Sequence, residues 1–347
     1  MNLEVKLTPV REVHRFDEAA LAGYLKSHLD GFSELLRILQ FEGGQSNPTF
    51  LLDCGDHKYV LRKKPPGKLL PSAHQVDREY RVMQALEATD VPVPKMHLLC
   101  KDEQVIGTTF FVMQYVEGRL FGDVTLPGMS REGRRAIYFE MIRVLAALHS
   151  VDYSALGLSD FGKPGNYFAR QIERWSRQYV AAKTDHIPSM ENLMKYLPQN
   201  VPPDDGTCIA HGDYRLENML FHPTEPRVLA LLDWELSTLG HPLGDLAYSC
   251  GSYHFSITGR PGLAGIAGPQ SGIPTESEFV AEYCGRTGRQ GIPDWNFYMA
   301  FAFFRLASIL QGVYQRGLMG TASSTKALQR GKLARAIGDL AWSFIET

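Results

Sequence analysis

Apolar residues recur at two different periods along this chain, and the period changes about a third of the way in. Residues 17–29 carry a helical pattern that opens at Asp17. Short alternating runs follow at Glu34–Phe41, Thr49–Asp53 and Lys58–Arg62, each of strand length and each bounded by turn residues. FEGGQSNPTF (41–50) and CGDH (54–57) supply those turns, and Pro65-Pro66-Gly67 stops the sheet. Val76, Tyr80, Met83 and Leu86 then mark one face of a helix over about 74–88. TDVPVP (89–94) breaks it, and two further strands fit Met96–Lys101 and Thr108–Tyr115.

Beyond a short connector near 115–118 the spacing becomes helical. Ile137, Met141, Leu145 and Leu148 line one face of a helix over 131–149, with Ser130 placed to cap it. Further helices are predicted over 167–182, 276–285, 294–316 and 324–345. The Pro-, Asp- and Asn-rich stretch 184–206 reads as irregular in part, and Gly- and Pro-rich 258–274 as a mobile loop. The expected fold class is therefore α+β, with a β-rich N-lobe over 1–115 and a larger, mainly helical C-lobe over 116–347.

Composition narrows the function classes. The chain has 347 residues, 44% hydrophobic and 21% charged, with a net charge of −2, which favours neither nucleic acid nor an anionic membrane as partner. Five widely spaced cysteines form no CxxC, so a zinc ribbon or disulfide framework is not expected and a reducing compartment is. Charges occupy the first 20 residues where a signal peptide needs an apolar run, and no apolar stretch approaches the roughly 18 residues of a membrane span. The expectation is a cytoplasmic protein.

The chemistry concentrates in HGDYRLENMLF (211–221), polar in its middle and apolar at both ends. His211, Asp213 and Asn218 give the spacing H-x-D-x₄-N, and fifteen residues later the run VLALLDWE delivers Asp233. Phosphoryl transfer needs one carboxylate to take or orient the proton of an acceptor hydroxyl. It also needs hard oxygen donors for Mg²⁺, here Asn218 and Asp233. The apolar flanks read as strands that hold the loop rigidly, because this catalysis is mostly positioning and charge stabilisation. GxSxG, HExxH and zinc-ligand spacings are absent from the sequence, which leaves little room for a hydrolase.

HGDYRLEN with LLDWE and GHPLGDLAYSC resembles the aminoglycoside phosphotransferase and choline kinase family over nearly the whole chain. Within it the chain is similar to the branch that includes kinase domains joined to acyl-CoA dehydrogenases. G-x-G-x-x-G and APE are missing, HGD stands in place of HRD and DWE in place of DFG, so a small-molecule kinase is favoured over a protein kinase. The resemblance implies a two-lobed, protein-kinase-like fold that uses ATP (or GTP) and Mg²⁺. It implies Asp213 as catalytic base, Asn218 and Asp233 as metal ligands, and Arg62 as the phosphate-binding cation, with Lys63 and Lys64 as neighbours. It further implies Glu79 as the helix glutamate that pairs with that cation. Gly44, Ser46 and Asn47 would lie in a nucleotide-covering turn, and Gln114 and Val116 would offer backbone groups to the purine. His211 and Asp245 are read as structural supports of the loop.

The last third bears on the acceptor. From His254 to Thr347 nine basic residues stand against six acidic ones, an excess of three. A polycationic acceptor suits that surplus less well than a neutral or anionic one, of which a hydroxyacyl-CoA is one case. The rival class is a non-catalytic nucleotide-binding pseudokinase, supported by Arg62 where many relatives have Lys and opposed by the intact Asp213, Asn218 and Asp233.

Overall fold

Alternation does what the sequence requires of it. In the computed structural model, six strands form one antiparallel sheet in the order Leu7–Thr8, Arg37–Phe41, Thr49–Asp53, Lys58–Lys63, Phe110–Gln114, Met96–Cys100. The structure describes residues 2–3, 6–42, 47–66, 74–203, 206–254, 262–320 and 327–346. One face of the sheet buries Ile38, Phe50, Leu52, Leu61, Phe110 and Val112 against Leu21 and Leu25 of the helix Glu18–His28. That helix opens as expected, with the Asp17 carboxylate accepting from the Ala20 N–H. The opposite face packs under the helix Val76–Leu86, where Tyr80 meets Phe111 at 6.1 Å between ring centroids.

The period of two decides which basic residue faces that second helix. Arg62 pairs with Thr49 and Phe111 and stands on the helix side, while Lys63 points to the other face, 5.5 Å from the ring of Phe16.

This sheet belongs to a first compact unit that takes in Met1–Gly122, Tyr153–Ser159 and Leu216–Ser237. The sequence division at 115/116 treats the lobes as consecutive, but Leu216–Ser237, which carries Asn218 and Asp233, folds with the N-terminal sheet unit. The hairpin strands Met219–Phe221 and Val228–Leu231 hold it there, and Arg119 and Phe221 exchange two backbone hydrogen bonds of 2.7 and 2.8 Å. Gly118 is required at that contact, since a Cβ would lie 2.4 Å from the Phe221 carbonyl oxygen.

The second unit, Asp123–Asp152, Asp160–Arg215 and Thr238–Thr347, is mainly helical. Arg131–His149 is capped by Ser130 and packs on the helix Glu276–Thr287 and on the strand pair Cys208–Ala210 with Thr238–Gly240. The aromatic run of the helix Trp295–Leu318 is core: Phe297, Tyr298, Phe301, Phe303 and Phe304 are all buried, several around Phe168. That helix is long and apolar enough by composition to cross a membrane, against the sequence expectation, but 67% of the qualifying window is buried inside the protein.

Two other expectations change. The stretch read as irregular contains a helix, Pro188–Gln199, whose Pro188 sits in the first turn where a missing N–H costs nothing. The C-terminal helix is two, Ala327–Gly331 and Ala334–Glu346. In the predicted loop, 258–261 lie outside the described residues. The remainder is tied to the helix Arg131–His149 by Arg131 on the Pro269 carbonyl and Arg134 on the Ser271 carbonyl.

Candidate active site

In the first unit the polar chemistry centres on Arg62. Its Nε lies 2.9 Å from Glu79 Oε2, and its Nη2 lies 3.2 Å from Asp233 Oδ1 and 3.7 Å from Glu235 Oε2. Nη1 donates to Thr49 Oγ1 at 3.2 Å. Arg62 and Glu79 are delivered by the sheet and the helix above it. Asp233 and Glu235 are delivered by the turn Trp234–Leu236, on which that helix packs.

One guanidinium thus faces three carboxylates, a formal excess of two negative charges. Burial alone would lower the Arg62 pKa, but Glu79, Asp233 and Glu235 outweigh it and push the guanidinium further up. Glu79 is buried and its carboxyl is pushed up to about 7, by burial and by Asp233 and Glu235, against the opposing pull of Arg62 and Asn47.

Asn47 is fully buried and donates from Nδ2 to Glu79 Oε1 at 2.8 Å, while its Oδ1 lies 3.0 Å from His74 Nδ1. Its side chain is therefore a brace for Glu79. Gly44 and Ser46 lie outside the described residues. Gln114 ends its strand with its N–H donating to the Lys95 carbonyl at 2.8 Å, so any purine contact from Gln114 must come from its carbonyl. Val116 follows that strand, half-buried.

The hairpin brings the Asn218 backbone against Leu232, the residue before Asp233. Met219 pairs with Leu231, and the Leu232 N–H donates to the Asn218 carbonyl at 2.8 Å. Asp233 then adopts φ 67°, ψ 63°, a left-handed conformation that aspartate tolerates better than most residues. Among the described residues no three His, Cys, Asp or Glu side chains gather as a metal cage. Magnesium, however, takes one or two carboxylates and draws its other ligands from phosphate and water. The carboxylates gathered on Arg62 and the side-chain oxygens of Asn218 and Asp233 are donors of the type that ion takes.

In the second unit Asp213 sits in a loop held mainly through its backbone. Asp245, buried at the start of the helix Pro242–Cys250, accepts the His211 N–H at 2.6 Å and the Gly212 N–H at 2.9 Å. His149 Nε2 approaches the same carboxylate at 3.5 Å. Burial pushes the Asp245 carboxyl up, but His149, His211 and the Gly212 N–H together hold it below its ordinary value. Gly212 is at φ 82°, which only glycine adopts without strain. His211 is fully buried and its Nδ1 lies 3.3 Å from the Asp213 N–H. Both serve as supports of the loop.

The Asp213 carboxylate itself accepts from Tyr248 Oη at 2.6 Å on Oδ1 and lies 3.2 Å from Arg215 Nε on Oδ2. Arg305 donates from Nη2 to the Gly212 carbonyl at 2.8 Å. Sequence reasoning missed Glu235, Tyr248, Arg215 and Arg305 as members of these clusters. Arg305 carried a signal, an arginine inside the apolar run MAFAFFRLASIL, because a charge on a core helix needs partners.

Comparison with known proteins identifies the lineage of the chain that carries these two clusters. The phosphotransferase enzyme family matches residues 37–283. The chain belongs to this family. This phosphotransferase is 48% identical over 340 residues to acyl-CoA dehydrogenase family member 10 of Mus musculus, covering 97% of the chain and 32% of the relative. It is 46% identical over 327 residues to acyl-CoA dehydrogenase family member 11 of Homo sapiens, covering 92% and 42%. The chain thus spans less than half the length of these relatives. They fall in the branch to which the motifs pointed.

A solved structure from Ralstonia eutropha, provisionally named an aminoglycoside phosphotransferase, is 53% identical with a TM-score of 0.89, covering 96% of this chain and 99% of that one. Spectinomycin phosphotransferase APH(9)-Ia, solved with ADP and spectinomycin, is 12% identical with a TM-score of 0.63, covering 96% and 99%, and so shows the fold alone. The fold is the protein-kinase-like α+β fold of these enzymes, an antiparallel sheet followed by a mainly helical region.

Proposed function

We propose that this phosphotransferase moves the γ-phosphate of ATP (or GTP) to a hydroxyl of a small, non-cationic acceptor, with a hydroxyacyl-CoA as the acceptor class. The observation that carries the reading is the Arg62 cluster, in which Glu79, Asp233 and Glu235 share one guanidinium, an acidic setting that suits a nucleotide-bound divalent cation. In the reaction the acceptor oxygen forms a new bond to the γ-phosphorus while the bridging bond to the β-phosphate breaks and ADP departs. The hydroxyl proton passes to Asp213, which lies in a loop built to hold it still. Arg62, fixed by Glu79, offsets phosphate charge, and Asn218 and Asp233 would hold magnesium. When bound, that ion supplies charge neutralisation and a fixed orientation of the phosphates.

Two observations support the acceptor class. Two of the relatives above are named acyl-CoA dehydrogenase family members, and the acyl-CoA in those names supports a CoA ester as the acceptor proposed. The last third of the chain has its basic surplus, and Arg305 from that region sits on the loop that holds Asp213. Spectinomycin and hygromycin B accompany solved structures only 12–16% identical to this chain, so antibiotic acceptors are not carried over. The test is ADP release with a panel of hydroxyacyl-CoA esters beside kanamycin-type acceptors. Turnover of a hydroxyacyl-CoA supports the reading; robust turnover of the aminoglycosides alone contradicts it.

A further inference from the structure

One helix face in the second unit reaches both the backbone and the side chain of the Asp213 loop. Asp245 and Tyr248 are three residues apart on Pro242–Cys250 and so share a face. Asp245 takes the His211 and Gly212 N–H groups, and Tyr248 donates its phenol to Asp213 Oδ1 at 2.6 Å. A backbone clamp alone leaves a carboxylate free to turn about its Cβ–Cγ bond. The phenol removes that freedom.

The phenol is itself braced. Arg305, on the helix Trp295–Leu318, lies 5.5 Å from the Tyr248 ring centroid and 5.6 Å from that of Trp175, while its Nη2 bonds the Gly212 carbonyl at 2.8 Å. Tyr248 therefore cannot swing off Asp213 without losing a cation–ring contact to a group that also holds the loop.

The two oxygens of Asp213 are held differently. Oδ1 has the short phenol hydrogen bond, and Oδ2 has Arg215 at 3.2 Å, a side chain still 39% exposed. We propose that Tyr248 is a positioning residue for the phosphotransfer base: it pins Oδ1 of Asp213 and so fixes the rotation of the carboxylate that meets the acceptor hydroxyl. The inference rests on the phosphotransfer reading above.

The groups facing this pair are Arg215 from the loop, Arg305 from the long helix and His211 under the loop backbone. Burial first, and then the Asp213 charge, raise the phenol well above its ordinary pKa, so it remains a donor throughout the working range.

The test is Tyr248→Phe, which keeps the ring and its Arg305 contact and deletes only the donor. The probe reaction is MgATP hydrolysis, with water as acceptor, followed together with crystal structures of both proteins. Loss of a single charge-assisted hydrogen bond predicts kcat lower by about tenfold with KM for MgATP unchanged. It also predicts an Asp213 carboxylate turned or split between orientations, while the His211 and Gly212 N–H groups stay on Asp245. A purely packing role would leave that orientation and kcat alone, and either result overturns the proposal. A wild-type protein that turns over no MgATP counts against the phosphotransfer reading, whereas an unmoved Asp213 in Tyr248→Phe sinks the positioning claim whatever the turnover.

Discussion

The two polar clusters of this phosphotransferase are built on opposite electrostatic plans. In the first unit one guanidinium stands among three carboxylates, one of them buried and pushed towards neutrality. In the second unit a single carboxylate, Asp213, is met by a phenol and a guanidinium, and its loop hangs by backbone N–H groups on a further buried aspartate. The second cluster is cross-linked by its own hydrogen bonds. In the first, three carboxylates share one guanidinium, and we propose that a cation and phosphates complete it. Machinery that must hold a proton acceptor still should be self-satisfied, and machinery that must take up a charged ligand should not be.

The largest expected effect breaks the second plan at its centre. Asp213→Ala should lower phosphotransfer to the true acceptor by about a thousandfold, the range expected for a general base, with stability nearly unchanged. Retained turnover would remove Asp213 from the chemistry.

Arg62→Ala tests the first plan through stability. It strands three carboxylates, one of them buried, at a cost of about 3 kcal/mol in denaturant unfolding. Because Glu79 can protonate, the loss should be larger at pH 8 than at pH 6. Equal losses at both pH values would mean that the cluster does not behave as one unit.

Asp245→Asn weakens the hydrogen bonds that carry the His211–Gly212 backbone, and about 2 kcal/mol of unfolding free energy should go with them. Unchanged stability would show that the loop does not depend on Asp245.

The smallest effect is a pH slope. The folded-state pKa of Glu79, about 7, lies above its ordinary value of 4.5, so the folded protein binds the extra proton between those values. Stability should therefore fall as pH rises through that window in protein free of metal and nucleotide, and Glu79→Gln should flatten the fall. A parallel slope in the variant would place its origin elsewhere.

Much of this was legible in the chain. H-x-D-x₄-N followed by an apolar run ending in Asp233 announced the family, because the chemistry requires those residue types in that local order. The choice among Arg62, Lys63 and Lys64 was not legible in the chain; the sheet puts Lys63 on the face opposite Arg62. What stayed hidden depends on closure in three dimensions. Glu235 reads as the charge after a tryptophan, yet the turn Trp234–Leu236 swings it towards Arg62. Tyr248 reads as one more apolar position on a buried helix, and only the packing of that helix under the loop gives its phenol a partner. Asn47 reads as turn chemistry before a proline, whereas its amide supports Glu79 from 32 residues away. The helix Pro188–Gln199 was obscured by its prolines, one at its first position and one near its end.

The central claim is that the over-anionic Arg62 cluster is a Mg²⁺–nucleotide site. The most direct measurement is unfolding free energy with ATP, GTP or ADP, each with and without Mg²⁺, for wild type beside Asp233→Asn. A nucleotide at about 100 times its Kd should add about 2.7 kcal/mol to the wild type. The account predicts that this gain requires Mg²⁺ and disappears in Asp233→Asn; a gain that survives either metal removal or the substitution would contradict it.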